Sequence, residues 1–535
     1  MTAAALRLLK PKSHHLHSLS GFSTPFPEFI SASAHKGNLI DEAFKSSFID
    51  EVQDLKYWKT YRERFLAKPP TLSPREVARL KYALNYKGKD GVKYAHWGRD
   101  TMNEMLNSQC KAAVEHMNAQ ELLSSLYGFR SLKNESLYTA LYAALNKEIR
   151  TVKDLNLLAV APYIVSHSAI NARYLSLTRV RTETSDRNLA FLEVIQDLCV
   201  DRITEFSDDQ IAALCAGLAN AEIAPEKRLR MKGLLDAIEQ DVVNRRVERM
   251  SAGNWVDVCK AFVRLNWGGD ELFAGLRKQV EGKLPAMEGD EIADLAYHLS
   301  VRADLPPAFQ SSLEANLLPK LPSVRPDFSP RLALYLFHTL SSNSELLKSF
   351  ITRVEEGAVM PLRKHYPFRV LRTFLEAKHP ALISEQFIEK TYGKAHAFDM
   401  RKWVPVYTRT ETVQFRLVSS LLAKLGFKMV AGYAYNNLAM VDFAKMPEKV
   451  GISLALPAYD LVGKYEADER LVKSKKREFK ANKAYSMRAE LLRLKGWQVV
   501  EWNTHELAEN MESAQAREQF MLQSLAQAGL KPQTP

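Results

Sequence analysis

From about residue 119 to 355 the chain repeats a helical apolar period in paired segments, with hardly a strand pattern among them. This narrows the fold more than any other feature. The first segments of the pairs look alike: 122–132 (LLSSLYGFRSL), 155–165, 211–223 (IAALCAGLANAEI), 255–267 (WVDVCKAFVRLNW), 292–305 (IADLAYHLSVRADL) and 332–340. Second amphipathic segments follow at 137–149, 189–203, 231–243, 272–284 and 313–318. Aligning Leu126, Leu158, Leu214, Val258, Leu295 and Leu336 gives spacings of 32, 56, 44, 37 and 41 residues, the range of two-helix repeat units. Pro306, Pro307, Pro319, Pro322, Pro326 and Pro330 fall between segments, where they end helices without breaking them. One helix pair cannot bury its apolar face alone, whereas a stack of pairs can. The expected fold is therefore mostly α: a helical-repeat (α-α solenoid) array over 119–400, behind a helical N-terminal region at 28–118. Residues 368–382 add one or two further helices.

Composition agrees with a globular chain. Hydrophobic residues are 46% and charged residues 25% of 535, which excludes wholesale disorder, collagen and a coiled-coil rod. No run approaches the ~18 uninterrupted apolar residues of a spanning helix, so no membrane partner is expected. Cys110, Cys199, Cys215 and Cys259 lie too far apart for a CxxC metal or redox motif. Cys215 and Cys259, like His298 and His338, sit at interior helical positions and are expected to be packed rather than catalytic or ligating. Gly88-Lys89-Asp90-Gly91 lacks the Gly-Lys-Ser/Thr ending of a phosphate loop and reads as a turn. No cofactor and no metal site are expected. The net charge of +12 points toward a polyanion.

Residues 1–27 carry Arg7, Lys10 and Lys12 with no acid before Glu28, beside a short apolar run and several serines. That is the composition of a mitochondrial transit peptide, and the mitochondrial matrix is the expected location. His14, His15 and His17 have no Cys or acid partners to complete a metal tract.

The pattern changes near residue 411. An amphipathic helix over 412–425 ends at Gly426; apolar strands are expected at 428–435, 438–444 and 450–456, with Asn436-Asn437 as the hairpin turn. A charged helical stretch, a strand at 496–502 and a helix over 504–525 complete a small α/β domain, followed by a tail at 526–535. The succession TVQFRLVSSLLAKLGF, MVDFAK, Pro457-Ala458-Tyr459 and MRAELLRLKGWQVVEW resembles the RAP domain over residues 411–525. The resemblance implies a restriction-endonuclease-like core. Helical repeats ahead of such a domain are also the arrangement of the FAST-kinase-domain and octotricopeptide-type organelle factors, which act in organellar RNA metabolism and ribosome biogenesis.

A metal-dependent nuclease of that fold would need an Asp at one strand end and Glu-x-Lys on the next strand. Asp442 matches the first, but the next strand reads Ser453-Leu454-Ala455, so no catalytic residue and no enzymatic activity are expected. Asp442 is expected to be structural. What remains is a binding surface: between Lys464 and Lys495 stand 11 basic and five acidic residues, half of the chain's net charge. The expected RNA-binding residues are Lys473, Lys475, Lys476, Arg477, Lys480, Lys483, Arg488 and Tyr459. Lys473, Lys476, Lys480 and Lys483 are spaced to share one helical face. Tyr465 and Tyr485 are further candidates for base stacking, whereas Trp497 and Trp502 belong to an apolar strand and its core. The expected function is non-catalytic RNA binding, to mitochondrial rRNA or mRNA, in processing, stability or mitoribosome assembly, with mitoribosomal proteins as further partners. The alternatives are a structural subunit of the mitochondrial ribosome and a divergent metal-dependent nuclease.

Residues 1–27 fused to a fluorescent reporter should carry it into mitochondria. A reporter that stays in the cytosol contradicts the localisation.

Overall fold

The computed structural model describes residues 39–48, 55–86, 101–127, 135–173, 180–221, 223, 225–357, 365–391, 412–435, 438–456, 461–462, 480–504, 507 and 513–532. The transit-type segment 1–27 and the Gly88 loop lie outside them. The fold is mostly helical, with a small four-stranded sheet near the C-terminus. The chain divides into two compact units, Met1–Leu265 and Asn266–Pro535. The division does not separate helices from sheet, because the sheet belongs to the same unit as the helices that follow Asn266.

The first unit contains α1 (Leu39–Phe48), α2 (Leu55–Ala67), α3 (Pro74–Tyr86), α4 (Thr101–Ala113), α5 (Ala119–Tyr127), α6 (Glu135–Glu148), α7 (Leu155–Arg173), α8 (Val180–Cys199), α9 (Asp208–Asn220), α10 (Lys232–Asp241) and α11 (Ala252–Arg264). Odd-numbered helices pack side by side in succession from α1 to α11, while α2 meets α4, α4 meets α6 and α8 meets α10. Every residue from Ile211 to Ala219 in α9 and from Gly253 to Val263 in α11 is buried. Helices buried all round need neighbours on every side. The approach is close: a Cβ on Gly217 would stand 2.6 Å from the Pro162 Cβ and the Tyr163 amide nitrogen of α7.

In the second unit, α12 (Asp270–Glu281), α13 (Gly289–Arg302), α14 (Pro307–Leu317), α15 (Ser329–His338), α16 (Ser344–Glu355), α17 (His365–Lys378) and α18 (Glu385–Thr391) follow the same scheme. The helix α13 packs on α15 and α15 on α17; α12 packs on α14 and α16 on α18. Leu126, Leu158, Leu214, Val258, Leu295 and Leu336, aligned from sequence alone, are all buried, each on an odd-numbered helix.

Two local devices recur. Five odd-numbered helices begin after an apolar residue and a capping side chain: Leu72-Ser73, Met117-Asn118, Phe206-Ser207, Met250-Ser251 and Met287-Glu288. Each apolar member is buried. Ser73, Asn118, Ser207 and Glu288 exchange bonds with the side chain three residues on, as in Glu121 N to Asn118 Oδ1 at 3.0 Å and Asn118 N to Glu121 Oε2 at 3.1 Å. Such boxes satisfy amides that the first turn leaves without partners.

The second device is a cation at the end of an even-numbered helix. It reaches back to carbonyls of the turn that follows the even-numbered helix before it. Arg202 Nη2 donates to Lys153 O at 3.1 Å, and Arg246 Nη2 to Ile203 O at 3.0 Å. Lys320 Nζ donates to Leu284, Pro285 and Met287 O at 3.1, 2.7 and 2.6 Å. Arg353 donates to the Leu321 and Pro322 carbonyls at 2.8 and 2.9 Å and also to that of Val324. Lys and Arg satisfy C-terminal carbonyls in this way and oppose the partial negative charge there.

After α18 come α19 (Val413–Lys424), β1 (Val430–Tyr435), β2 (Ala439–Lys445), β3 (Val450–Ala455), β4 (Leu461–Val462), β5 (Lys480–Ala481), α20 (Lys483–Arg493), β6 (Gln498–Asn503) and α21 (Ala514–Gln527). The main sheet runs β1-β2-β3-β6, antiparallel except for the β3/β6 pair, and β4 pairs with β5 separately. Phe415, Val418 and Leu422 of α19 and Met521 and Leu525 of α21 form one core with Phe443, Ile452, Leu454 and Trp502 of the sheet. The helix α20 packs against β2 and β6 and also against α13, α15 and α17. Among the described residues no helix is long and apolar enough to cross a membrane.

Arg246 has 0% side-chain exposure and is held by Asp241 and, at 2.8 Å, by Asp208. Arg246→Met should leave the buried Asp241 with only the half-exposed Arg245, at 3.5 Å, and cost about 3 kcal/mol. Arg249→Ala, on a half-exposed partner of the same Asp208, should cost ~0–1 kcal/mol. Urea unfolding of the two variants checks the contrast.

Candidate nucleic-acid interface

The basic residues singled out by spacing do not share one helical face. Lys480 lies in β5, opposite Val462 of β4, and the helix starts only at Lys483. The cause is local. Asn482 accepts the Tyr485 amide on its side chain at 2.9 Å and so fixes the first turn there. Tyr459, Tyr465, Lys473, Lys475, Lys476 and Arg477 lie outside the described residues.

Lys483 is spent on a protein partner. Its Nζ meets Asp304 Oδ1, just beyond α13, at 2.6 Å, and its side chain is 19% exposed. At the far end of α20, Lys495 Nζ meets Glu376 Oε2 of α17 at 3.1 Å. Ion pairs thus stand at both ends of the helix, where it crosses the α13, α15 and α17 row. Arg488 is half-buried, its guanidinium carbon 5.3 Å from the centre of the Tyr485 ring. Tyr485 is itself buried, with its hydroxyl donating to Ser453 O at 2.9 Å. It holds α20 to β3 and offers no face to a base, contrary to the stacking role expected from sequence. Trp497 and Trp502 are buried, and Trp502 Nε1 donates to Ser524 Oγ at 3.0 Å.

The histidines are packed. His338 Nδ1 lies 3.3 Å from Ser300 Oγ, and burial, with Lys483 adding, pushes the His338 imidazole down to about 3. His298 Nε2 lies 3.3 Å from Asp294 Oδ1, which also pairs with Arg331 at 2.7 Å. All four cysteines are buried and none is in a disulfide; burial lifts the Cys199 thiol to about 12 and raises Cys215 as well. Thiols raised in this way are poor nucleophiles. Among the described residues no three His, Cys, Asp or Glu side chains are placed to hold a metal ion.

Asp442 has a backbone partner. The β2/β3 ladder is regular from Lys445–Val450 to Phe443–Ile452 and stops there. At the next position the Asp442 carboxylate accepts the Leu454 amide through Oδ2 at 2.7 Å, in a buried setting. Ser453 and Ala455 are also buried and bring neither a carboxylate nor an amine. Opposite Asp442 on β1 stands Gly432, at φ 63°. The regular β2/β3 pairing ends here, and the carboxylate supplies an acceptor beyond it.

Spacing gave no sign of a group at the other end of the sheet, where Lys428, Lys445 and Lys449 come from three different strand ends. Only strand register brings them together.

Asp442→Ala should leave the Leu454 amide buried without an acceptor and cost about 1–3 kcal/mol, whereas Asp442→Asn, which keeps an acceptor oxygen, should cost less. Thermal melts separate the two, and RNA affinity should be nearly unchanged in both. Loss of a magnesium-dependent RNA cleavage on either substitution would instead make Asp442 catalytic. No model of a known protein family matches the chain, and no curated protein matches it.

Proposed function

We propose that this chain is a non-catalytic RNA-binding protein of the mitochondrial matrix, acting in RNA processing, RNA stability or mitoribosome assembly. In this reading the helices form a repeat array and residues 411–525 form a RAP-like domain. The recurring caps and the cation-to-carbonyl bonds support the repeat array. Ser207, Ser251 and Glu288 follow at intervals of 44 and 37 residues, within the range of two-helix repeats. Ser73 and Asn118 stand 45 apart, which carries the pattern upstream of residue 119.

A single juxtaposition carries the functional reading. The most basic stretch of the chain, with 11 cations against five acids, is joined to an α/β segment whose one nuclease-type carboxylate is bonded to a backbone amide. A surface that neutralises phosphates without a metal-holding pair binds RNA and leaves it intact. The acid-free basic start of the chain supports the matrix location.

Crosslinking in isolated mitochondria, followed by sequencing of the bound RNA, should recover mitochondrial transcripts or rRNA above a mock control. Recovery of none contradicts RNA binding. Retention of the whole protein pool on ribosomal particles through a high-salt wash would favour a permanent ribosomal subunit over a trans-acting factor.

A further inference from the structure

We infer that Lys428, Lys445 and Lys449, at the end of the sheet where β1 begins, form a surface for the RNA phosphate backbone; this rests on the RNA-binding reading above. Val430 pairs with Ala444 across β1 and β2, so the same register carried two residues outward sets Lys428 opposite Met446, beside Lys445. Lys445 pairs with Val450 across β2 and β3, which places Lys449 one residue from that pair. With strands about 4.8 Å apart, the three lysines stand at neighbouring strand ends, Lys445 on the opposite face of the sheet from Lys428.

The surroundings favour a polyanion. Lys428 and Lys449 are exposed and Lys445 is half-buried, with Glu448 the one acid in the β2–β3 turn. Among the described residues none of the three has an ion-pair partner, whereas Lys424, Lys483 and Lys495 are each paired with a carboxylate. Like charges on adjacent strand ends oppose one another, and a phosphate chain laid across them relieves that opposition. Val430 and Met446, 50% and 37% exposed, stand among the lysines as apolar contacts for a ribose or base.

The turn is also held in place. Lys449 adopts φ 51°, a left-handed conformation uncommon for a residue with a side chain, and its carbonyl accepts the Gln498 amide of β6 at 2.9 Å. The lysine thereby sits on a turn tied to two strands. Contacts of this kind position a nucleic acid without reading its sequence.

The test uses the full chain, a fluorescein-labelled single-stranded RNA of mixed sequence and a potassium chloride series read by anisotropy. Lys428→Gln/Lys445→Gln/Lys449→Gln should lower the slope of log affinity against log salt by about two units, at ~0.7 for each phosphate that is no longer neutralised. Affinity at low salt should fall at least tenfold, equally for RNAs of different sequence. A control variant, Lys59→Gln/Lys68→Gln/Lys147→Gln, removes three exposed charges from the first unit and should leave the slope within half a unit of the parent. Circular dichroism verifies that both variants are folded, and Lys449→Glu alone provides a milder second variant that should weaken binding in the same direction. An unchanged slope in the folded triple variant overturns the inference while RNA binding stands. An equal drop in the control overturns it as a general charge effect. A triple variant that loses binding to anionic vesicles or polyglutamate, yet keeps its RNA slope, assigns the surface to another partner and also overturns it. A parent protein that binds no RNA at any salt fails the functional reading itself, and this inference with it.

Discussion

A helix that is buried all round has no stable place except among other helices, and α9 and α11 are of that kind over Ile211–Ala219 and Gly253–Val263. From α1 to α11, and from α13 to α17, each odd-numbered helix packs on the odd-numbered helices next to it in the same unit. The capping boxes at the starts of these helices, and the cations returned to the previous carbonyls, deal with the polar groups that such packing would otherwise strand. Arg202, Arg246, Lys320 and Arg353 are consumed by that task. A count of basic residues therefore overstates the charge available to a partner. Cations bonded to one or three carbonyls contribute to the fold before they contribute to any surface.

The same constraint acts on the sheet. The helix α20 is shared: it packs on the strands through Tyr485 and on the helix row through its two end lysines. Lys483 and Lys495 stand in sequence as part of one basic run, yet both are engaged with carboxylates of the helical part. Among the described residues, Lys428, Lys445 and Lys449 at the strand ends have no such pair. Asp442 follows the same logic on a smaller scale. A carboxylate one residue beyond the last ladder pair supplies an acceptor that the β2 backbone does not provide there.

Much of this was legible in the sequence. The six aligned residues from Leu126 to Leu336 reach buried positions because a 3.6-residue period survives any variation in loop length. Strands 430–435, 439–445, 450–455 and 498–503 lie where apolar runs between turn signals put them. Missed were the features that depend on distant partners. The helical face through Lys480 and Lys483 broke because Asn482 caps between them, a competition that charge spacing does not see. Arg353 finds its carbonyls 29 to 32 residues upstream, and no local pattern announces such a bond. The apolar-then-cap pairs at Leu72-Ser73, Met117-Asn118 and Met250-Ser251 were readable, and they extend the helical scheme upstream of residue 119. Lys428 and Lys449 are linked by strand register, which a one-residue shift would have undone.

In the proposed reading the α/β segment holds RNA and leaves it uncut. Ultraviolet crosslinking of the purified full chain to single-stranded RNA with magnesium present, read by mass spectrometry of the peptides and electrophoresis of the RNA, tests both halves in one tube. Crosslinked peptides should fall within residues 412–504, and the RNA should keep its length. Crosslinks confined to residues before 265, or RNA shortened in a magnesium-dependent way, would contradict it.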